Sequence, residues 1–87
     1  MKEYLPLGTI VVLNEGTKPI MIYGRKQKHA QTGAIYDYVA CLYPEGNLSN
    51  EYNCLFNHDQ IKEVLFMGYV NEVETAFVKF LNEYTGE

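Results

Sequence analysis

The chain has no tryptophan, two cysteines and seven basic residues among its 87. A protein that mainly holds nucleic-acid phosphates needs a basic face, and the net charge of -4 argues against that class. No apolar run approaches the ~20 residues that span a bilayer, and the first residues lack the apolar core of a signal peptide. We therefore expect a soluble cytoplasmic protein without a membrane span.

Motifs that carry chemistry are equally scarce. Four side chains are conceivable zinc ligands: Cys41, Cys54, His29 and His58. No pair of them has the Cys-x-x-Cys or His-x-x-x-His spacing that zinc sites use. The only serine, Ser49, has no histidine and acid motif around it. The sequence thus predicts no metal, no cofactor and no catalytic residue, and so no enzyme.

Length and composition predict one small globular domain. A chain of 87 residues buries about 60–65% of its unfolded surface, which leaves no room for a second core. The hydrophobic content of 47% lies far from the composition of disordered chains. We expect a single domain over 1–87, with a β-rich core at 4–69 and a helix at 71–85. Cys41 and Cys54 lie in apolar surroundings typical of packed, reduced thiols, although a disulfide is an alternative if their strands are adjacent.

The most informative stretch is residues 35–48, IYDYVACLYPEGNL. Its aromatic and β-branched residues predict a strand, and the Pro-Glu-Gly-Asn sequence that follows predicts a sharp turn. Both alternating faces of the strand are largely apolar, which indicates that both are covered. We therefore expect this strand at the centre of a small sheet.

Further strands are predicted at 9–13, 19–23, 52–56 and 64–69. The first two should form a hairpin through 14–18, where Gly16 can adopt a positive φ. Residues 25–34 are polar and contain Gly33, so they are predicted to form a loop. Asn57, His58 and Asp59 are typical of the start of a helical turn, a capping role that we favour over acid–base chemistry.

The period changes near the end of the chain. Apolar residues recur with helical spacing and form one face: Val73, Phe77, Phe80, Leu81 and Tyr84. Asn71 is a suitable N-cap, and Glu72 and Glu74 suit the positive end of the helix dipole. Gly86 lies where a helix commonly stops.

These elements predict an α+β, mainly β fold. We expect a five-stranded, strongly bent antiparallel sheet or an SH3-like small barrel, with a short helical turn before the last strand and a C-terminal α-helix. Gly8, Gly24 and Gly68 would allow the bends. The alternative is a simple α+β sandwich with the helix across one sheet face. The two differ in whether the first and last strands meet.

Two groups of residues are candidates for binding a partner. The basic loop could be solvated, contact a protein or contact a nucleic acid, and its cations are Arg25, Lys26 and Lys28, with His29 beside them. Tyrosines are favoured anchors in protein interfaces, and a core this small cannot hide all eight. The candidates for an exposed aromatic patch are Tyr36, Tyr38, Tyr52 and Tyr69, and partial burial is the alternative.

Several segments together carry a resemblance: 4–13 (YLPLGTIVVL), 21–25 (MIYGR), 36–38 (YDY), 42–47 (LYPEGN), 56–61 (FNHDQI) and 66–69 (FMGY). They resemble a family of small Firmicutes proteins of unknown function whose genes often stand beside type VII secretion genes and LXG toxin genes. The resemblance covers about 4–70, and the last helix looks like a variable tail. It implies a cytoplasmic accessory role, such as a chaperone or targeting factor for a toxin, and no catalytic residues.

The leading hypothesis is therefore a small binding module. It would present an aromatic sheet face or the basic loop to a protein partner, such as a helical segment of an LXG-type toxin or another secretion component. The alternatives are a nucleic-acid-binding small-barrel regulator and a toxin immunity protein. The sequence leaves the oligomeric state open.

Overall fold

In a computed structural model, residues 3–84 are described, and they form five strands, one α-helix and two short 3-10 turns. The strands are β1 (Ile10–Leu13), β2 (Ile20–Lys28), β3 (Ile35–Leu42), β4 (Cys54–Phe56) and β5 (Ile61–Phe66). The 3-10 turns are Asn50–Tyr52 and His58–Gln60, and the helix is α1 (Glu72–Glu83). The predicted class, α+β and mainly β, is confirmed.

The strands form one antiparallel sheet in the order β4-β3-β2-β1-β5. β1 pairs with both β2 and β5, so the first and last strands meet, as they would not in the sandwich alternative. β4 and β5 are the two edges, and no pairing between described residues joins them. The fold is therefore an open sheet and not a closed barrel.

The short connection between the two edge strands requires the sheet to bend strongly. In a flat sheet β4 and β5 would lie about 19 Å apart, which is four strand spacings. Five residue steps lead from Phe56 to Ile61, and they reach at most about 17 Å when fully extended. The His58–Gln60 turn shortens that reach further. The sheet must therefore curl until its edges approach each other.

The core lies inside this curl. Its buried cluster is Val11, Ile20, Ile22, Tyr38, Ala40 and Phe56. β3 is buried on both faces, as expected, because Val39 and Cys41 on the opposite face are buried as well. β2 occupies the centre of the sheet, however, and β3 lies next to it. The position predicted for β3 was wrong by one strand. Burial on both faces is expected for any interior strand, so it could not identify which strand is the central one.

The largest difference from the expected elements is in β2. It continues to Lys28, whereas residues 25–34 were expected to form a loop. Arg25 pairs with Tyr38 and Lys28 pairs with Ile35. The polar residues of this segment have little strand propensity of their own, and the pairing with β3 makes them a strand. The register shifts between Ile22 and Gly24, where a bulge bends the strand.

Smaller shifts also follow from pairing. β5 begins at Ile61 and not at residue 64, because Leu13 of β1 pairs with Ile61. In the β1–β2 turn the positive φ falls on Glu15 (65°) and not on Gly16. The turn after β3 is as expected, and Gly46 takes a positive φ of 86° there.

α1 begins where its capping signal predicts. The Asn71 side chain accepts a hydrogen bond from the Glu74 backbone N–H at 3.0 Å. The helix ends at Glu83, with Tyr84 as the C-cap residue, slightly inside the predicted 71–85. Gly86, the predicted stop, lies outside the described residues.

Candidate protein-binding surface

The tyrosines predicted as an exposed patch do not come together. Tyr38 is fully buried in the core, so its predicted exposure was wrong. Tyr36 is half-buried in β3, while Tyr52 lies in the first 3-10 turn and Tyr69 precedes α1, both exposed. β3 is an interior strand, and Tyr38 lies on the face of it that packs into the core inside the curled sheet, which explains why its side chain is buried.

The predicted basic loop is likewise not a free loop. Arg25 is buried, and its guanidinium forms an ion pair with Glu74 of α1. Lys26 donates to the Leu81 carbonyl at 2.6 Å and to the Tyr84 carbonyl. Lys28, at the end of β2, is the one predicted cation that remains exposed without a hydrogen bond or ion pair to α1 among the described contacts. The structure therefore turns two of the three cations toward the helix and not toward solvent.

A further row of exposed residues, three of them aromatic, lies along one side of α1 and at its C-cap. We call this row the α1 stripe, and its members are Val73 (74% exposed), Phe77 (45%), Phe80 (52%) and Tyr84 (42%). The rings stack in series, with centroids 5.7 Å apart for Phe77 and Phe80 and 5.8 Å apart for Phe80 and Tyr84. Leu81, the fifth residue of the predicted apolar face, is buried.

Cations lie over two rings of the stripe. The Arg25 guanidinium carbon lies 5.6 Å from the centroid of Phe77, and the Lys26 ammonium lies 5.6 Å from that of Tyr84. Both distances are within the range of cation–π attraction. Two of the three rings thus lie against a cation while much of their surface stays exposed.

A groove extends the apolar surface beyond the helix. Its volume is about 570 Å³, and its lining includes Leu7, Tyr69, Val73 and Phe77. Leu7 and Tyr69 are both exposed, and neither belongs to α1. The groove therefore joins the stripe to the N-terminal segment and to the segment between β5 and α1.

The chain leading into the groove is also apolar and exposed: Val64, Leu65, Phe66, Met67 and Val70. The sequence shows this apolar run but not its exposure, because it resembles a strand covered on both faces. Its placement in and after an edge strand leaves the side chains open. Leu7 carried no comparable signal in the sequence.

The titratable groups near Tyr38 have structural partners. Tyr38 Oη lies 2.7 Å from His58 Nδ1, and the His58 backbone N–H donates to Asp37 Oδ2 at 2.8 Å. Burial raises the pKa of the Tyr38 phenol above its usual 10.0, partly offset by a hydrogen bond from the Leu5 backbone. Gln60 Oε1 accepts from the Asn57 N–H at 2.8 Å, a contact typical of a capping box.

The two cysteines are free thiols, as expected for the described chain. Cys41 is buried, whereas Cys54 is only partly so. Cys54 pairs with Ala40, and directly opposed residues share a face of the sheet. Cys41 is the next residue after Ala40 and points to the other face. The two thiols therefore lie on opposite faces of the sheet, although β3 and β4 are neighbours.

Within residues 3–84, no group of three or more His, Cys, Asp or Glu side chains could hold a metal ion. In the same part of the chain, no helix combines the length and the apolar character needed to cross a bilayer.

The fold and this surface define a class: a small open-sheet domain with an attached helix and an uncovered apolar face. A family model described as Domain of unknown function (DUF4176) matches residues 4–77, and the chain belongs to that family. The match includes the first half of α1, further than the 4–70 expected, so that part of the helix belongs to the family pattern. No curated protein and no solved structure matches the chain.

Proposed function

We propose that this domain is a protein-binding module that works by surface complementarity and not by catalysis. The observation that carries the proposal is the α1 stripe, a stacked aromatic row that the domain's own sheet leaves exposed. Single exposed apolar residues are ordinary, but a contiguous exposed apolar surface marks an interaction site. The groove and the residues after β5 enlarge that surface.

The α1 stripe alone does not bury enough apolar area to form a stable complex. Aromatic side chains bury about 150–250 Å² each, so covering the exposed halves of three rings removes roughly 300 Å² from water. At ~25 cal/mol per Å² this is worth about 7 kcal/mol. Association costs about 4–15 kcal/mol, so the stripe alone would bind weakly. A stable complex therefore has to cover Leu7 and Tyr69 as well.

The occupant that fits best is an amphipathic helix with basic residues beside its apolar face. A row at helical spacing that opens into a groove suits the helix-in-groove mode of recognition. Exposed Glu72 and Glu83 lie beside the two ends of the stripe and would attract such cations. Arg25 and Lys26 are engaged by α1, which leaves little for nucleic-acid phosphates to contact.

The partner that we propose is a helical segment of a toxin exported by a type VII system. The support is the resemblance carried by the strand, turn and capping motifs, together with a surface suited to a helix. The domain would then act in the cytoplasm as an accessory, chaperone or targeting factor before export.

The test is co-purification with the N-terminal region of an LXG toxin. Phe77→Ser combined with Phe80→Ser should reduce capture at least tenfold, because these substitutions remove the centre of the stripe. The matched control is Tyr52→Ser. Tyr52 is an equally exposed aromatic residue, but it lies in the first 3-10 turn and belongs neither to α1 nor to the lining of the groove. Circular dichroism would check that each variant is folded. Capture that survives the double substitution would overturn this assignment, and protection of cells without capture would favour an immunity role.

A further inference from the structure

The first turn of α1 is held to the sheet by a buried ion pair. Both terminal nitrogens of Arg25 donate to the Glu74 carboxylate, one of them at 2.9 Å. The side chains are 4% and 16% exposed, so water screens this pair little. The Arg25 guanidinium also donates to the Leu5 carbonyl at 3.3 Å. One residue of β2 thus ties α1 and the N-terminal segment together.

The last turn of α1 is held by the neighbouring residue. Lys26 donates to the Leu81 and Tyr84 carbonyls, which lie at the negative end of the helix dipole. Adjacent residues of a strand normally point to opposite faces. Lys26 has a positive φ of 53°, a strained value for a lysine that turns its side chain toward the helix. Two consecutive strand residues therefore hold both ends of α1.

Apolar packing contributes little to this attachment. Leu81 is the buried residue of α1, and the stripe is largely exposed. A groove of about 640 Å³ also separates α1 from part of the N-terminal segment, and its lining includes Tyr4, Pro6 and Val78. Helices in small domains are usually held by a buried apolar face. Here charges take over most of that role.

We propose that Arg25 and Lys26 form a polar latch, and that α1 detaches from the sheet as a unit while the sheet stays folded. Detachment would uncover Leu81 together with the Tyr4 and Pro6 side of the groove, which adds to the apolar surface. Because charges hold the latch, salt would favour the detached state. The latch rests on contacts within the chain and does not depend on the proposed partner.

Amide hydrogen exchange resolved by residue tests the latch. Glu74→Gln and Lys26→Met each remove one charge, and each should speed exchange of the α1 amides at least tenfold. Exchange in β2 and β3 should stay within about twofold of the wild-type rate. In 0.5 M salt, roughly a threefold increase is expected for wild-type α1 alone, since salt screens the partly exposed contacts of Lys26 with the helix carbonyls more than the buried Arg25–Glu74 pair.

The matched control is Lys18→Met, which breaks the ion pair between Lys18 and Glu45. That pair is exposed, with 44% of the Lys18 side chain and 41% of the Glu45 side chain accessible to solvent. It should leave α1 exchange unchanged. Lys26 belongs to β2, so Lys26→Met could disturb the folding of the sheet. Glu74 belongs to α1, and Glu74→Gln therefore tests the latch without changing a residue of the sheet. Unchanged α1 exchange in Glu74→Gln would overturn the latch. So would equal acceleration of helix and sheet amides, because α1 would then open only with the whole domain.

Discussion

The Tyr38 hydroxyl joins three parts of the chain through two hydrogen bonds. It lies 2.7 Å from His58 Nδ1 in the second 3-10 turn, and it accepts from the Leu5 N–H at 3.0 Å. That turn connects β4 to β5, the two edges of the curled sheet. The buried phenol of β3 therefore stabilises the bend from inside, although the edges form no ladder with each other in the described structure.

Tyr38→Phe should lower the free energy of unfolding by about 1–3 kcal/mol, because it keeps the ring but leaves two polar groups without their partner. Urea denaturation measures the change. The matched control is Tyr23→Phe, which removes an exposed hydroxyl that accepts from Asn53 at 2.8 Å. The control should cost less than about 1 kcal/mol. Equal losses in the two variants would show that burial of the Tyr38 hydroxyl is unimportant.

Stability at alkaline pH should depend on the same residue. The pKa of Tyr38 is raised because burial disfavours the phenolate, so the folded state keeps the proton to a higher pH than the unfolded state. The contribution is complete below the ordinary value of 10.0 and is lost as pH rises through the folded-state pKa. Unfolding measured between about pH 9 and 11 should show a shallower decline in Tyr38→Phe than in wild type. Parallel declines would contradict this assignment.

Two phenylalanines should respond very differently to truncation. Phe56 is 1% exposed in the core, whereas Phe80 is 52% exposed in the α1 stripe. Phe56→Ala should cost about 3–5 kcal/mol, and Phe80→Ala about 1 kcal/mol from the lost ring stacking. Thermal or urea denaturation compares the two. A loss of several kcal/mol in Phe80→Ala would mean that the stripe belongs to the core.

Gly68 is required by a close approach of two backbones. A Cβ at this position would overlap the Leu7 carbonyl oxygen, and the Gly68 N–H donates to Thr9 Oγ1 at 3.0 Å. We expect Gly68→Ala to destabilise the domain by about 2–4 kcal/mol, since backbone must move. Gly16→Ala is the control, because the nearest atom to its Cβ is 3.4 Å away. Melting temperatures of the pair provide the readout, and similar values would refute the clash.

Local signals predicted the elements that depend on nearby residues. The Asn71 cap starts α1, and Gly46 forms the turn after β3. The alternation of apolar residues in β3 predicted burial on both faces, and the 3-10 turn before β5 follows its capping residues. In each case the residues that decide the structure lie within a few positions of one another, so the sequence order contains the information.

The binding surface could not be predicted in the same way. Arg25 and Lys26 look like solvated loop cations until β3 extends β2 and α1 comes within reach of both. Tyr38 looks like a surface anchor until the sheet curls around it. Phe80 has the spacing of a core residue, yet it is 52% exposed, on a helix whose first turn is paired with Arg25 through Glu74.

The amino-acid sequence alone determined the class of fold, the order of its elements and the positions at which α1 and the main turns form. These features depend on propensity, periodicity and capping, which act over a few residues. Only the tertiary structure decided which aromatic residues are exposed and which charges are engaged. Those properties depend on pairs such as Arg25 and Glu74, which are 49 positions apart and meet only when the curled sheet brings them together.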